Sequence, residues 1–319
     1  MTRPSEQPVG LDAGDEAFHH GADPYWRESA WFHFSVPERN LIGFVYFFYD
    51  PRTGVPGGGP AVWDPSGEET YDCLFYDWRW LQPTVEHLDS THVELPNSLR
   101  HEVLDPMRRY RLSYSNLGLE LDLEWTALME PHEIRSDPLS IASGARHFDQ
   151  PGRCTGSLVL HGERIDVGCF SLRDRTWGPH RPGATRPGDY LWAITSPDSH
   201  WHAITLATDE PGVESVRNGY LFRDGILGDL VSGSRRVLER RGDAPARVVL
   251  DAVDEHGREL RAIGEIRTVL RWFGWPGRLA YWTLTDWRWD GRQGWGENQE
   301  FHPLAQVRAL RAAGQKGSP

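Results

Sequence analysis

The stretch RYRLSYSNLGLELDLEWTALM, residues 109–129, alternates with period two almost throughout. Leu117, Leu119, Leu121, Leu123, Trp125, Ala127 and Met129 fall on one face, and Gly118, Glu120, Asp122, Glu124 and Thr126 on the other. That is the pattern of a half-buried strand. Tyr110, Leu112 and Tyr114 against Arg109, Arg111 and Ser113 repeat it upstream. Folding the two runs about Ser115-Asn116-Leu117-Gly118 sets Leu112 opposite Leu121, Arg111 opposite Asp122 and Arg109 opposite Glu124. One register then serves both the apolar face and the charges, so a hairpin is expected.

Working outward, the same signature recurs. His161-Gly162-Glu163, Asp224-Gly225, Glu255-His256-Gly257 and Asp290-Gly291 each divide two strand-like runs. Regular strands joined by Gly-containing turns predict an all-β protein of barrels or sandwiches. Only Leu304 to Ala313 reads as a helix, short and amphipathic. A repeat relates Trp31–Ser35, the Pro37 turn and the apolar strand ending at Asp50-Pro51 to Trp192–Ser196, Pro197 and the strand ending before Asp209-Glu210-Pro211. An offset of half the chain is what duplication of one domain would leave. The expected organisation is a flexible segment over 1–22, β domains over 23–148 and 149–303, and a helix and tail over 304–319.

Composition narrows the class of function. The net charge of −12 opposes nucleic-acid phosphate, and the Arg235, Arg236, Arg240, Arg241 cluster reads as solvated surface. The longest apolar run, Leu41 to Tyr49, is too short to span a bilayer, which takes about 20 residues. The polar N-terminus shows no signal peptide, and three cysteines without metal-site spacing suit a reduced, cytoplasmic protein. Fifteen Trp, 12 Phe and 10 Tyr suit both β-barrel cores and sites for apolar ligands.

The densest chemistry lies in Arg173-Asp174-Arg175-Thr176-Trp177-Gly178-Pro179-His180. On period two Asp174 shares a face with Phe170 and Leu172, while Arg173, Arg175 and Trp177 share the other. A carboxyl group among apolar residues keeps its proton toward neutral pH and can serve as an acid. The flanking arginines would instead hold it ionised, as a buried pair fixing a strand end. Both readings stand at this point. His200-Trp201-His202 places two imidazoles on one strand face, but no third ligand follows at a useful spacing, so no metal is expected. His19-His20 reads as surface, and Gly57-Gly58-Gly59 as a loop that precedes no helix and cradles no phosphate.

The run Arg173–Pro179, together with His147-Phe148-Asp149-Gln150-Pro151-Gly152, Glu28-Ser29-Ala30-Trp31-Phe32 and Gly294-Trp295-Gly296-Glu297, resembles the two-domain lipocalin-like bacterial proteins related to hydroxyneurosporene synthase (carotenoid 1,2-hydratase) and lipocalin-like Diels–Alderases. The order of motifs covers roughly residues 20–303. The carotenoid hydratases carry Asp-His before the Trp, where this chain has Asp174-Arg175. The resemblance implies two tandem lipocalin-like antiparallel barrels and a cofactor-independent hydratase, lyase or cyclase acting on an isoprenoid, polyene or steroid-like molecule. Asp174 or Glu297 would donate the proton, and Arg173 or His180 would contact a substrate carbonyl. Trp31, Trp63, Trp177, Tyr190 and Trp192 would line the site and face a cation. A non-catalytic carrier of the same ligands is the alternative, and a structural protein with filled barrels a third.

Overall fold

Period-two patterning over most of the chain produces 19 strands among the described residues, which are mostly β, 68% strand and 6% helical. The computed structural model describes residues 10–19, 21–85, 88–134, 144–180, 187–210, 212–275 and 277–316.

The first eleven strands form one antiparallel sheet. They are β1 (Trp26–Val36), β2 (Leu41–Asp50), β3 (Val55–Trp63), β4 (Phe75–Tyr76), β5 (His92–Glu94), β6 (Arg100–Asp105), β7 (Arg109–Asn116), β8 (Leu119–Ala127), β9 (His132–Ile134), β10 (Arg146–Leu160) and β11 (Glu163–Pro179). Their order is β4-β3-β2-β1-β11-β10-β8-β7-β6-β5, with β9 on β10. The sheet rolls around one core, so Val62 and Phe75 from one end pack with Val93, Leu95 and Tyr110 from the other. Side chains bridge the ends: Asn97 donates to the Gly58 and Asp77 carbonyls, and Tyr114 donates to the Asp77 carboxylate at 2.7 Å.

A closed eight-stranded barrel follows, made of β12 (Gly188–Ser196), β13 (Ser199–Ala207), β14 (Val213–Arg223), β15 (Ile226–Arg241), β16 (Ala244–Asp254), β17 (Glu259–Trp275), β18 (Arg278–Trp289) and β19 (Arg292–Pro303). Leu191, Trp201, Leu221, Tyr281 and Trp287 fill its interior. The expected helix is α1 (Leu304–Lys316), which buries Val307 in the barrel core and ties Arg311 to Asp243 at 2.7 Å.

The four downstream turns lie between strands where expected. The 109–129 hairpin forms with a different register. Leu112 faces Leu123 and Arg111 faces Glu124, two residues from the expected pairing. The turn is the tighter Leu117-Gly118, with φ of 52° and 89°. Two residues at positive φ match the twist of the strands better than a four-residue loop. A shift of two keeps every side chain on its face. The expected ion pairs survive as diagonals, Arg111–Asp122 at 2.9 Å and Arg109–Glu124 at 3.2 Å.

Two organisational expectations are corrected. Strands β10 and β11 complete the first sheet, so the two sheets part between Pro179 and Gly188 rather than at residue 148. The repeat supports this division: β1 pairs with β2 and β11, and β12 pairs with β13 and β19, so each unit closes its first strand on its second and last. Residues 10–19, expected to be flexible, instead carry a capped 3-10 turn at Ala13–Glu16 whose Asp15 and Glu16 are buried.

Candidate active site

The two units meet outer face to outer face. Trp31, Phe44, Tyr46 and Leu172 of the first sheet pack with Tyr190, Trp192, Trp272 and Trp282 of the barrel in one apolar cluster. Trp31 and Phe44 meet the Trp282 ring at 5.5 and 4.8 Å, and His33 meets Trp192 at 4.8 Å.

Strand alternation then decides which motif residues reach this seam. On β11, Arg173 and Arg175 turn away from it into the first core. Arg173 pairs with Glu16 at 2.9 Å, donates its Nε–H to Gln150 Oε1 at 2.8 Å and stacks over Tyr110 at 4.1 Å. Arg175 pairs with Glu28 at 3.3 Å. Burial raises the Glu16 pKa, but Arg173, Tyr110 and Arg175 outweigh it and hold the carboxyl at about 2. Trp177 follows the arginines and stacks on His19 at 4.4 Å. Arg173 and Trp177, expected as a carbonyl contact and a wall residue, therefore lie away from the seam. His19, expected at the surface, is fixed between Asp15 and Glu28, and His20 lies outside the described residues.

Asp174 points the other way, between Trp31 on β1 and Asp149 on β10, its register partners. Among the described residues no arginine pairs with it, because its neighbours in sequence have taken other carboxylates. The expected Arg–Asp strand-end pair is thus replaced by a half-buried carboxyl group. Burial, and then the Asp149 charge, raise its pKa to about 7 against the opposing pull of His147 and Arg173.

Asp149 itself is fully buried and ionised. Burial disfavours its charge, but His202, His147 and Tyr190 more than compensate. Tyr190 donates its hydroxyl to Asp149 Oδ1, His147 Nε2 reaches the same oxygen at 3.2 Å, and His202 Nδ1 lies 3.5 Å from Oδ2. Asp149, and then Asp174, raise the His147 pKa to about 9 despite burial, which favours its protonated form. Burial drives His202 down to about 4 and keeps it neutral. His147 Nδ1 meets Thr176 Oγ1 at 2.5 Å.

Glu297 comes from β19, opposite Trp192 in register. It is fully buried and accepts from Trp192 Nε1 at 3.4 Å and from Gln299, while its Oε1 has no partner. Burial raises its pKa to about 8, and the Asp174 charge adds to the rise. The seam thus brings together Asp174, Glu297, Trp31, Tyr190 and Trp192 of the expected site. Trp63 joins the same apolar cluster through Phe44, 5.7 Å away. His180 sits just past β11, held by the Gly178 carbonyl at 2.9 Å, and burial keeps it neutral with a pKa of about 4.

Sequence reading missed Asp149 and His147 as site residues. The signal was present: running the His161-Gly162 turn back along Leu160↔Glu163 pairs Asp149 with Asp174 and His147 with Thr176. Ligating atoms of His147, Asp149 and Asp174 lie within 4.8 Å of one another, but both His147 nitrogens already engage Asp149 and Thr176. An ion there would have to displace those bonds. His200 and His202 are buried on the outer barrel face, and His200 stacks on Phe222 at 4.7 Å.

An open, polar concavity of about 690 Å³ lies over Arg100, Arg111, Asp122 and Arg164, and one of about 430 Å³ lies at Thr195, Asp198 and Arg292. Neither borders Asp174 or Glu297. Filled barrel interiors are what a structural β protein would show. What departs from that expectation is the seam, with two carboxyl groups of raised pKa against an aromatic wall.

Residues 12–302 match the profile described as a domain of unknown function, DUF7064. The chain belongs to the DUF7064 family. No curated protein matches it. Solved structures show that this family member has the two-unit lipocalin-like fold. An AttH candidate from Nitrosomonas europaea aligns at a TM-score of 0.63 and 14% identity, over 87% of this chain and 91% of that one. Kievitone hydratase from Nectria haematococca aligns at 0.56 and 12%, over 87% and 88%. CghA with Sch210972 aligns at 0.56 and 14%, over 88% and 89%. Among the described residues no helix is long and apolar enough to cross a membrane.

Proposed function

We propose that this protein is a cofactor-independent hydratase, lyase or cyclase that takes an apolar isoprenoid, polyene or steroid-like molecule into the seam between its two units. The observation that carries the reading is Asp174, a half-buried carboxyl group with a pKa raised to about 7, beside the ionised Asp149–His147 pair and beneath Trp31. A carrier has no use for such a group, because an apolar ligand is held as well by a purely apolar wall. Kievitone hydratase, named for a hydration, shares the fold and supports the class of reaction.

In the hydration direction Asp174 gives its proton to the less substituted alkene carbon. The carboxyl O–H breaks, a C–H bond forms, and a cation develops on the more substituted carbon. Trp31, Trp192 and Trp282 face that charge with their π systems. Water adds its oxygen to the cation and returns one proton to the Asp174 carboxylate, which protonated His147 stabilises in the interval. Glu297, whose pKa burial raises to about 8, is the second candidate donor. In a cyclisation the same acid and wall would act without water. Buried thiols at Cys154 and Cys169, opposite each other in β10 and β11, fit a reducing cytoplasm.

Asp174→Asn is the test. It keeps size and hydrogen bonding but removes the dissociable proton, so turnover of an isoprenoid alkene should fall about 10²–10⁴-fold with ligand binding retained. Binding by both proteins with turnover by neither would favour the carrier. Undiminished turnover would transfer the donor role to Glu297.

A further inference from the structure

The face of β1 that meets the seam carries Arg27, Ser29, Trp31 and His33, while Glu28, Ala30 and Phe32 turn inward. Arg27 therefore lies in the same row as Asp174, four residues from Trp31, or roughly 13 Å along the strand. Its guanidinium rests on a ledge, 4.6 Å from the Phe48 ring centroid and 5.5 Å from that of Trp80. The ledge is rigid because Gly57 lies against the Phe48 ring, where a Cβ would come within 2.2 Å of it. Opposite Arg27 stands Gly178 at φ 129°, so no side chain from β11 covers the guanidinium there.

The buried arginines of the two cores named above each have a carboxylate: Arg173 has Glu16, Arg175 has Glu28, and Arg235 has Asp189 and Glu300. Among the described residues the partly buried Arg27 has none, although acidic residues outnumber basic ones by 46 to 34 in the sequence. Its Nε is buried without a hydrogen-bond partner among the described residues. A permanent charge held on an aromatic ledge and left without an internal counter-ion is a preformed anion receptor.

We propose that Arg27 binds an anionic oxygen group, a carboxylate or its equivalent, at one end of the substrate, whose apolar body lies along the Trp31 wall toward Asp174. This rests on the seam being the ligand site, and it narrows the substrate class from an apolar molecule to an amphiphilic acid. Arg27 acts as a positioning and specificity residue, setting which carbon of the chain lies over Asp174.

Retinoic acid and retinol share a polyene and differ in the head group, so they are suitable probes, followed on the full chain by tryptophan quenching. The native protein should bind the acid about ten- to a hundredfold tighter than the alcohol, the range of a charge-assisted hydrogen bond. Arg27→Met retains an unbranched chain on the Phe48–Trp80 ledge. It should bring the acid down to the affinity of the alcohol and leave retinol unchanged, while Arg27→Lys should keep part of the preference. Equal binding of both probes by the native protein, or an acid preference that survives Arg27→Met, would overturn the anion subsite and leave the seam reading intact. Binding of neither probe would overturn both.

Discussion

The interiors of the two units and the seam between them bury charge in opposite ways. Inside the first unit Arg173 and Arg175 meet Glu16 and Glu28. Inside the barrel Arg235 meets Asp189 at 2.7 Å, Glu214 at 3.5 Å and Glu300. These arginines are 1–2% exposed, so the pairing decides whether the core can exist at all. At the seam the order is reversed. Among the described residues no arginine pairs with Asp174 or Glu297, whose pKa values are raised by burial, and Arg27 has no carboxylate. Charge that is matched internally holds a core together. Charge left unmatched at a junction remains available to something that comes from outside.

The comparison breaks most readily at the cores. Arg235→Met would leave Asp189, Glu214 and Glu300 buried without their common cation, and should destabilise by about 3–5 kcal/mol in chemical denaturation. Arg173→Met should do the same to Glu16. A loss under about 1 kcal/mol in either would show that the buried pairs are not what separates core from seam.

At the seam the sign inverts. A carboxyl whose folded pKa is raised binds its proton more tightly folded than unfolded, so stability falls as pH climbs from the unfolded value near 4 through the folded one. Asp174 covers the window from about 4 to 7, and Glu297 extends it to about 8. His147, raised to about 9, has the same slope at higher pH, because its stabilisation is complete below 6.5 and lost through 9. Asp174→Asn should therefore leave the melting temperature at pH 4 nearly unchanged and raise stability at pH 8 by about 1–3 kcal/mol, reduced from the full shift because the group is half-buried. A destabilised variant at pH 8 would make Asp174 a structural anion after all.

The smallest effect belongs to the surface. Arg111→Ala breaks an exposed diagonal pair with Asp122 and should cost about 0.2–1 kcal/mol, fading with added salt. A core-sized loss there would mean that exposure does not set the value of an ion pair in this protein.

The seam was partly legible beforehand. Asp174 on a different face from its arginines follows from period two alone, and Glu297 and Trp192 stood in quoted motifs. Arg27 was not legible, because a charged residue near the start of a strand looks like solvated surface until the absence of a partner can be seen. Arg173 and Trp177 turn inward while Asp174 turns to the seam, a separation that adjacency in sequence does not display.

By itself the amino-acid sequence determined the all-β class, the four downstream hairpin turns, the faces of the strands and the terminal helix. These depend on local alternation and on residues that accept positive φ, and both are written in neighbouring positions. Only the tertiary structure decided that β10 and β11 belong to the first unit and that Glu16 returns from the N-terminal segment to neutralise Arg173. It also decided that the outer faces, and not the barrel interiors, enclose the acids. Those outcomes turn on which distant carboxylate the fold brings to which arginine, and pairing across more than a hundred residues leaves no periodic mark in the chain.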